Sequence, residues 1–506
     1  MAFVSLGAIL IALASAPPTT SGSNIADLGY ARYEGLHNTS LGLITYYGLP
    51  YAQAPTGDLS EDCLHLDIIA PDKPKSASLP VVVQIHGGGY TLGNSLTFDG
   101  TQFTAVANGS IIYVQIQYRL GPYGFLGSEE IRQNGTANAG LLDQRAALEW
   151  IQRHISAFGG DPEKVTILGG SAGGGSITNQ LILYGGNSTP PFRAAIPEYP
   201  WWQPFHDDTV LELQYRDLLN VTQCNNLDCL RMLDSSTLTN ASQAIFEIGY
   251  ATGQYGVGDF YFGPSVDGVT IRELPSHEFE QGHFAKVPLL IDHNAYEGVI
   301  FTNLSIRSAE VEPDLETLWP NARNNSAFFT RLFELYPASA FTGTYLSDPI
   351  QANYSALASP DSIVQATAFY QRQTIFADAF VTCPTYYVAS AFVDAGVPVW
   401  KLRFAAGLGI HGATQPNLFS APAAQTNPTY GAWMKDYWIS FIVFGDPNAT
   451  PMVVGKPQWP QYLAVNGPDA SFQVLEFNQT NVGTNIDADA SARCDFLHGQ
   501  SYRVRN

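Results

Sequence analysis

The sequence predicts an α/β chain built on a doubly wound, mostly parallel central sheet that carries large insertions. Three observations lead there. Apolar, β-branched runs at 81–86, 111–118, 165–169, 287–292 and 397–404 read as strands buried on both faces. Between the second and third lies a helical stretch, 141–158. There Leu141, Leu148, Ile151, Ile155 and Phe158 fall at spacings of 7, 3, 4 and 3, which is one helix face. Strand alternating with helix favours right-handed crossovers onto one sheet. Composition agrees: 45% of the 506 residues are apolar, 12% aromatic and only 14% charged. A disordered acidic chain would lack those apolar groups.

Length alone admits about three domains. The segments 201–283 and 307–370 are mixed in pattern and read as insertions carried on one core. No internal repeat, low-complexity block or Pro/Ser linker divides the chain, so a single domain is expected over residues 23–506. With 24 Lys+Arg against 45 Asp+Glu, the net charge is −21, which repels phosphate and argues against nucleic acid as a partner.

Residues 3–14, FVSLGAILIALA, precede Ala14-Ser15-Ala16 and read as a signal peptide over residues 1–16, with a cut as late as about residue 22. The n-region lacks Lys and Arg, and Pro17 follows the expected cut. No later run reaches the ~18 apolar residues of a membrane span. Eleven N-x-S/T sequons follow, at Asn38, Asn108, Asn134, Asn187, Asn220, Asn240, Asn303, Asn324, Asn353, Asn448 and Asn478. Together they predict a secreted, extracellular protein whose cysteines form disulfides first. Five cysteines are an odd number.

Residues 164–175 read KVTILGGSAGGG. A strand feeds Gly169-Gly170-Ser171-Ala172-Gly173, and 176–184 can continue as a helix. This is G-x-S-x-G in a strand–turn–helix setting, which lifts a hydroxyl clear of the backbone where a base can reach it. The bare motif is weak, and a plain Gly-rich loop explains it as well. A second element decides. The strand at 81–85 runs into His86-Gly87-Gly88-Gly89, the kind of segment that supplies backbone N–H groups to an oxyanion. The donors are assigned to Gly88, Gly89 and Ala172.

In such hydrolases the acid and then the histidine follow the serine. Of ten histidines, His37, His65, His86 and His154 precede it, His206, His277 and His283 lie in an insertion, and His293 precedes Glu297. His498 lies beyond the last strand. His411 follows the strand at 397–404 in a Gly-rich loop and is the expected base. Spacing leaves Asp267, Asp292 and Glu297 open as the acid.

At this point the chain resembles the type-B carboxylesterase/lipase family, which includes the cholinesterases and fungal lipases. The match runs from about Tyr46 to Cys494. Its signatures are Glu61-Asp62-Cys63-Leu64, the His86 to Gly89 run, Tyr118-Arg119-Leu120-Gly121-Pro122, Phe158-Gly159-Gly160-Asp161-Pro162, Gly263-Pro264-Ser265-Val266-Asp267-Gly268 and Gly445-Asp446-Pro447-Asn448. The resemblance implies an α/β-hydrolase fold, hydrolysis of small-molecule or lipid carboxylic esters, and no metal or organic cofactor. It implies Glu297, which precedes Gly298, as the acid of a Ser171–Glu297–His411 triad. It implies bridges Cys224–Cys229 and Cys383–Cys494, the second closing a loop worth about 4–5 kcal/mol in the chain-entropy model. The rival implication is an inactive, adhesion-type binding relative, but such relatives usually lose a triad member and this chain keeps all three. A serine peptidase on the same fold fits the signatures less well.

The chain also departs from the family. Several tens of residues normally separate the PxGxL segment from EDCL, and they supply partners for its Glu and Cys. Here Pro55 to Ser60 run straight into Glu61. Either this is a lidless variant with a wider gorge and no interfacial activation, or the chain lacks a segment. The joint loss of both partners favours the latter, and Cys63 is left over as a buried thiol. Gly170 stands where many relatives carry Glu, and Thr414 where they often carry Glu or Asp. Negative charge is thus removed near the imidazole, and no preference for cationic esters is expected. Trp201 and Trp202 fall where the family builds its acyl pocket, so one of them is expected to limit acyl length.

Overall fold

A two-stranded hairpin, β1 (Ile25–Asp27) and β2 (Arg32–Glu34), leads into an eleven-stranded sheet. In chain order its strands are β3 (Leu36–Asn38), β4 (Leu43–Pro50), β5 (His65–Pro71), β6 (Leu79–Ile85), β7 (Ile112–Ile116), β8 (Gly160–Gly170), β9 (Ala194–Glu198), β10 (Leu289–Asn294), β11 (Val399–Phe404), β12 (Gln473–Phe477) and β13 (Val482–Ile486). Across the sheet the order is β13-β12-β11-β10-β9-β8-β6-β7-β5-β4-β3. From β7 to β12 the neighbours run parallel, and the flanks at β5, β4, β3 and β13 are antiparallel. This computed structural model describes residues 24–53, 62–186, 189–342, 362–425, 427–449, 453–463 and 472–506. The proposed leader 1–16, Pro55 to Glu61, Asn187 and Asn353 lie outside the described residues.

The strands read from apolar runs are β6, β7, β8, β10 and β11. Every residue of β6, β7 and β10 is buried, as strands covered on both faces require. Alternation sorts them between two cores. Val81, Val83, Ile85, Val165 and Ile167 meet Leu148, Ile151, Ile177 and Leu181 from helices α1 (Ala139–His154) and α2 (Ala172–Ile182). Val82, Leu168, Ile196, Leu290 and Leu402 lie in the other core. Each such side chain contributes roughly 1.5–3 kcal/mol by burial. The helix expected at 141–158 is α1 followed by a 3-10 turn, Ile155–Phe158, stopped by Gly159 at φ 84°. β8 starts at Gly160, ahead of its apolar run, because Gly160 pairs with Leu79 before a register shift.

On the C-terminal side, α3 (Ser362–Ala377) and α4 (Cys383–Asp394) are joined by a π-turn, Asp378–Thr382. Helix α5 (Pro428–Phe444) then closes the second core with Met434, Trp438 and Phe441. Both implied bridges are present, and Cys63 belongs to neither. Cys63, His65, Tyr118, Arg119 and Tyr123 line a cavity of about 690 Å³. Among the described residues, no helix is long and apolar enough to cross a membrane.

Candidate active site

Strand β8 delivers Ser171 into a sharp turn with φ 59° and ψ −127°, and α2 begins at the next residue. A non-glycine residue held there costs about 1–3 kcal/mol, which the surroundings must impose. They do so by hydrogen bonds. Ser171 N donates to Glu198 O at 3.2 Å, and Ser171 O accepts from Gly175 N at 2.8 Å and Trp201 N at 3.0 Å. The flanking glycines are required by backbone contact. A Cβ at Gly169 would meet Ile85 O at 2.6 Å, and one at Gly87 would meet Gly170 O at 2.6 Å. The strand end after β6 therefore lies directly on the turn that carries Ser171.

That strand end turns through Gly88 at φ 112° and Gly89 at φ 59°. Gly88 O accepts from Thr91 N at 3.1 Å and Leu92 N at 3.0 Å, which closes the loop. The N–H groups of Gly88 and Gly89 donate to no acceptor among the described residues. Ala172 opens α2, where the first N–H groups have no intrahelical acceptor and the helix dipole favours negative charge. Behind the loop, Tyr118 Oη donates to His86 O at 2.8 Å. Next to it, Arg119 grips Asp143 of α1 with two 2.7 Å bonds. The Tyr118-Arg119 signature thus braces the glycine loop from below.

The acid and base come from loops after β10 and β11. Glu297 is fully buried and its Oε2 lies 2.5 Å from His411 Nδ1. Glu297 Oε1 accepts from the backbone N and, at 3.0 Å, the Nδ2 of Asn294. His411 Nε2 is buried and has no hydrogen-bond partner among the described residues. Of the three candidate acids, only Glu297 touches this histidine. Asp267 instead closes a turn, accepting from Val269 N, Thr270 N and Ile271 N at 2.7–3.0 Å. Asp292 is buried within β10, accepts from Tyr199 N at 2.8 Å, and is pushed up to about 8 by desolvation.

The profile described as the carboxylesterase family matches residues 59–497. The chain belongs to the carboxylesterase family. It is similar to Lipase 2 of Geotrichum candidum, at 30% identity over 84% of this chain and 75% of that protein. It is similar to Secreted lipase 1 of Botryotinia fuckeliana, at 33% identity over 79% of this chain and 71% of that protein. The crystal structure of Aspergillus niger EstA aligns with a TM-score of 0.80 at 26% identity, over 96% of this chain and 99% of that one. The protein is a carboxylic ester hydrolase with the α/β-hydrolase fold.

In this esterase an aromatic group surrounds the histidine. The Trp201 ring lies 5.6 Å from the His411 ring and 4.5–5.6 Å from Phe260, Phe301, Phe376 and Phe380. Phe301 and Tyr199 each stand 5.0 Å from His411. Trp202 turns the other way: its Nε1 donates to Thr178 at 2.9 Å and its ring stacks on Phe279. The two neighbouring tryptophans, paired in the sequence expectation, are therefore split, and only Trp201 is at the site. Sequence reasoning missed Asn294 and Tyr199, which stand near named residues but carry no motif, and the phenylalanines, which come from distant segments.

Proposed function

We propose that this esterase is a secreted serine hydrolase that cleaves neutral carboxylic esters through an acyl-enzyme on Ser171. The observation that carries the proposal is the buried Glu297–His411 pair with its second imidazole nitrogen open. A serine hydroxyl is a weak nucleophile until a base takes its proton. His411 Nε2 accepts the Ser171 proton as Oγ attacks the ester carbonyl. Glu297 fixes the tautomer and stabilises the imidazolium. The oxyanion is held by the N–H groups of Gly88, Gly89 and Ala172. His411 then returns the proton to the departing alkoxide, and an acyl-serine remains. Water repeats the cycle, and the acid leaves.

Support for secretion comes from the sequons: Asn38, Asn108, Asn134, Asn220, Asn240, Asn303 and Asn324 are exposed. Asn448 is an exception, since its amide is engaged with Trp459 O and N at 3.0 and 2.9 Å. The stretch from residue 23 to 506 is proposed as one domain, because the large sheet draws strands from β3 to β13. Trp201 is proposed to bound the acyl group.

The test is turnover of p-nitrophenyl esters. Ser171→Ala is expected to lower kcat by about 10⁶, and retention of more than about a percent would contradict the assignment. Trp201→Ala is expected to raise octanoate relative to acetate turnover, while Trp202→Ala leaves that ratio unchanged. An unchanged ratio in Trp201→Ala removes the acyl-pocket role. A large preference for choline esters over matched neutral esters counts against the neutral-ester assignment.

A further inference from the structure

Tyr199 sits beside the site in a conformation that bulky residues rarely adopt, with φ 32°. Strain of this kind persists only where neighbours impose it. Here the Tyr199 N–H is held by Asp292, through Oδ1 at 2.8 Å and O at 2.9 Å. Asp292 stands opposite Glu198 in the β9–β10 register. Both carboxyls are fully buried, and desolvation raises both above the ordinary carboxylate range. The held ring meets His411 edge to face, with centroids 5.0 Å apart and planes at 77°. Its hydroxyl lies over Gly170 and faces Thr414, three residues beyond His411. A Cβ on Gly170 would stand 2.5 Å from Tyr199 Cζ and closer still to the hydroxyl. Position 170 has no room for a side chain while Tyr199 is in place.

We propose that Tyr199 is a positioning residue for the His411 imidazole, and that its side chain occupies the room an acidic side chain at position 170 would need. The proposal rests on Ser171 and His411 being nucleophile and base. It makes positions 170 and 199 mutually exclusive: bulk at one demands its removal at the other. Neutral bulk then braces the histidine where a carboxylate would otherwise stand.

The experiment compares kcat and KM on p-nitrophenyl acetate, with folding checked by circular dichroism. Tyr199→Phe keeps the ring edge and is expected within about threefold of wild-type kcat. Tyr199→Ala is expected to lose on the order of 10–100-fold in kcat with KM changed less than about threefold, as for a misplaced catalytic group. Gly170→Glu alone is expected to lose more than Tyr199→Ala. The pair Gly170→Glu/Tyr199→Ala is expected to regain at least about tenfold over Gly170→Glu. Wild-type kcat in Tyr199→Ala overturns the proposal. So does a pair no better than Gly170→Glu, whether it is folded or not, and the pair decides alone if Tyr199→Ala does not fold. Ser171→Ala run alongside separates the outcomes: activity there defeats the triad, whereas an inactive Ser171→Ala with a fully active Tyr199→Ala defeats only the role of Tyr199.

Discussion

Two buried histidine–carboxylate pairs each take one member from the short segment His293 to Glu297, and they differ at the second imidazole nitrogen. His411 spends Nδ1 on Glu297 and leaves Nε2 open. His293, on β10, has Nδ1 2.9 Å from Asn294 O and Nε2 2.9 Å from Asp489 Oδ2. Lys401 completes the second cluster, 2.5 Å from Asp489 and 2.6 Å from Asp487, with Tyr462 Oη donating to Asp487 at 2.6 Å. Burial works against charge on His293, yet the Asp489 carboxylate outweighs it and holds the pKa above its ordinary value. A histidine whose second nitrogen stands against a carboxylate is a brace. One tied at a single nitrogen has a lone pair left for a proton.

The sharpest way to break this comparison is to delete each ring. His411→Ala is expected to lower kcat by about 10⁶ with little change in melting temperature. His293→Ala is expected to leave kcat per folded molecule within about threefold and to lower stability instead. Steady-state kinetics beside thermal melts checks both, and equal kinetic losses would erase the distinction.

A smaller effect tests the brace itself. Lys401→Met strands Asp487 and Asp489 in the interior, and urea denaturation is expected to show a loss of about 3–5 kcal/mol. An unchanged denaturation midpoint would mean the cluster does not stabilise the fold.

A third effect concerns Asp292. Its folded pKa of about 8 lies above the unfolded value, so the folded state binds more protons as pH rises past the ordinary carboxylate range. Its stabilising contribution is intact below the unfolded pKa and is lost as pH climbs toward 8. Asp292→Asn cannot titrate and keeps an acceptor for Tyr199 N. Its melting temperature relative to wild type is expected to rise between pH 4 and pH 8, and a flat difference would contradict the buried, protonated carboxyl.

The parts of this molecule that sequence reveals are those with dense local signals. Strands such as β6 and β10 are continuous apolar runs because both their faces are covered. Ser171 and the loop at Gly88 are marked because only glycine tolerates backbone against backbone there. The edge strands were not legible. β4 carries exposed Tyr47 and Gly48 with a register break between Tyr46 and Leu49, and β13 is largely exposed, so neither shows a clean period. The acid stayed ambiguous from spacing alone, since Asp267, Asp292 and Glu297 all lie between serine and histidine. What separates them is three-dimensional: a turn closed by Asp267, Asp292 within β10 holding Tyr199 N, and Asn294 gripping Glu297. Trp201 and Trp202 show the same limit, as these adjacent residues after β9 face opposite ways.

The most direct test of the central claim is to label the enzyme with a p-nitrophenyl alkylphosphonate and locate the adduct by peptide mass spectrometry. One adduct per chain is expected, on Ser171, in step with loss of ester turnover. It should form in His293→Ala and be nearly abolished in His411→Ala. Full loss of activity with the adduct on another residue, or wild-type labelling rates in His411→Ala, would contradict the account.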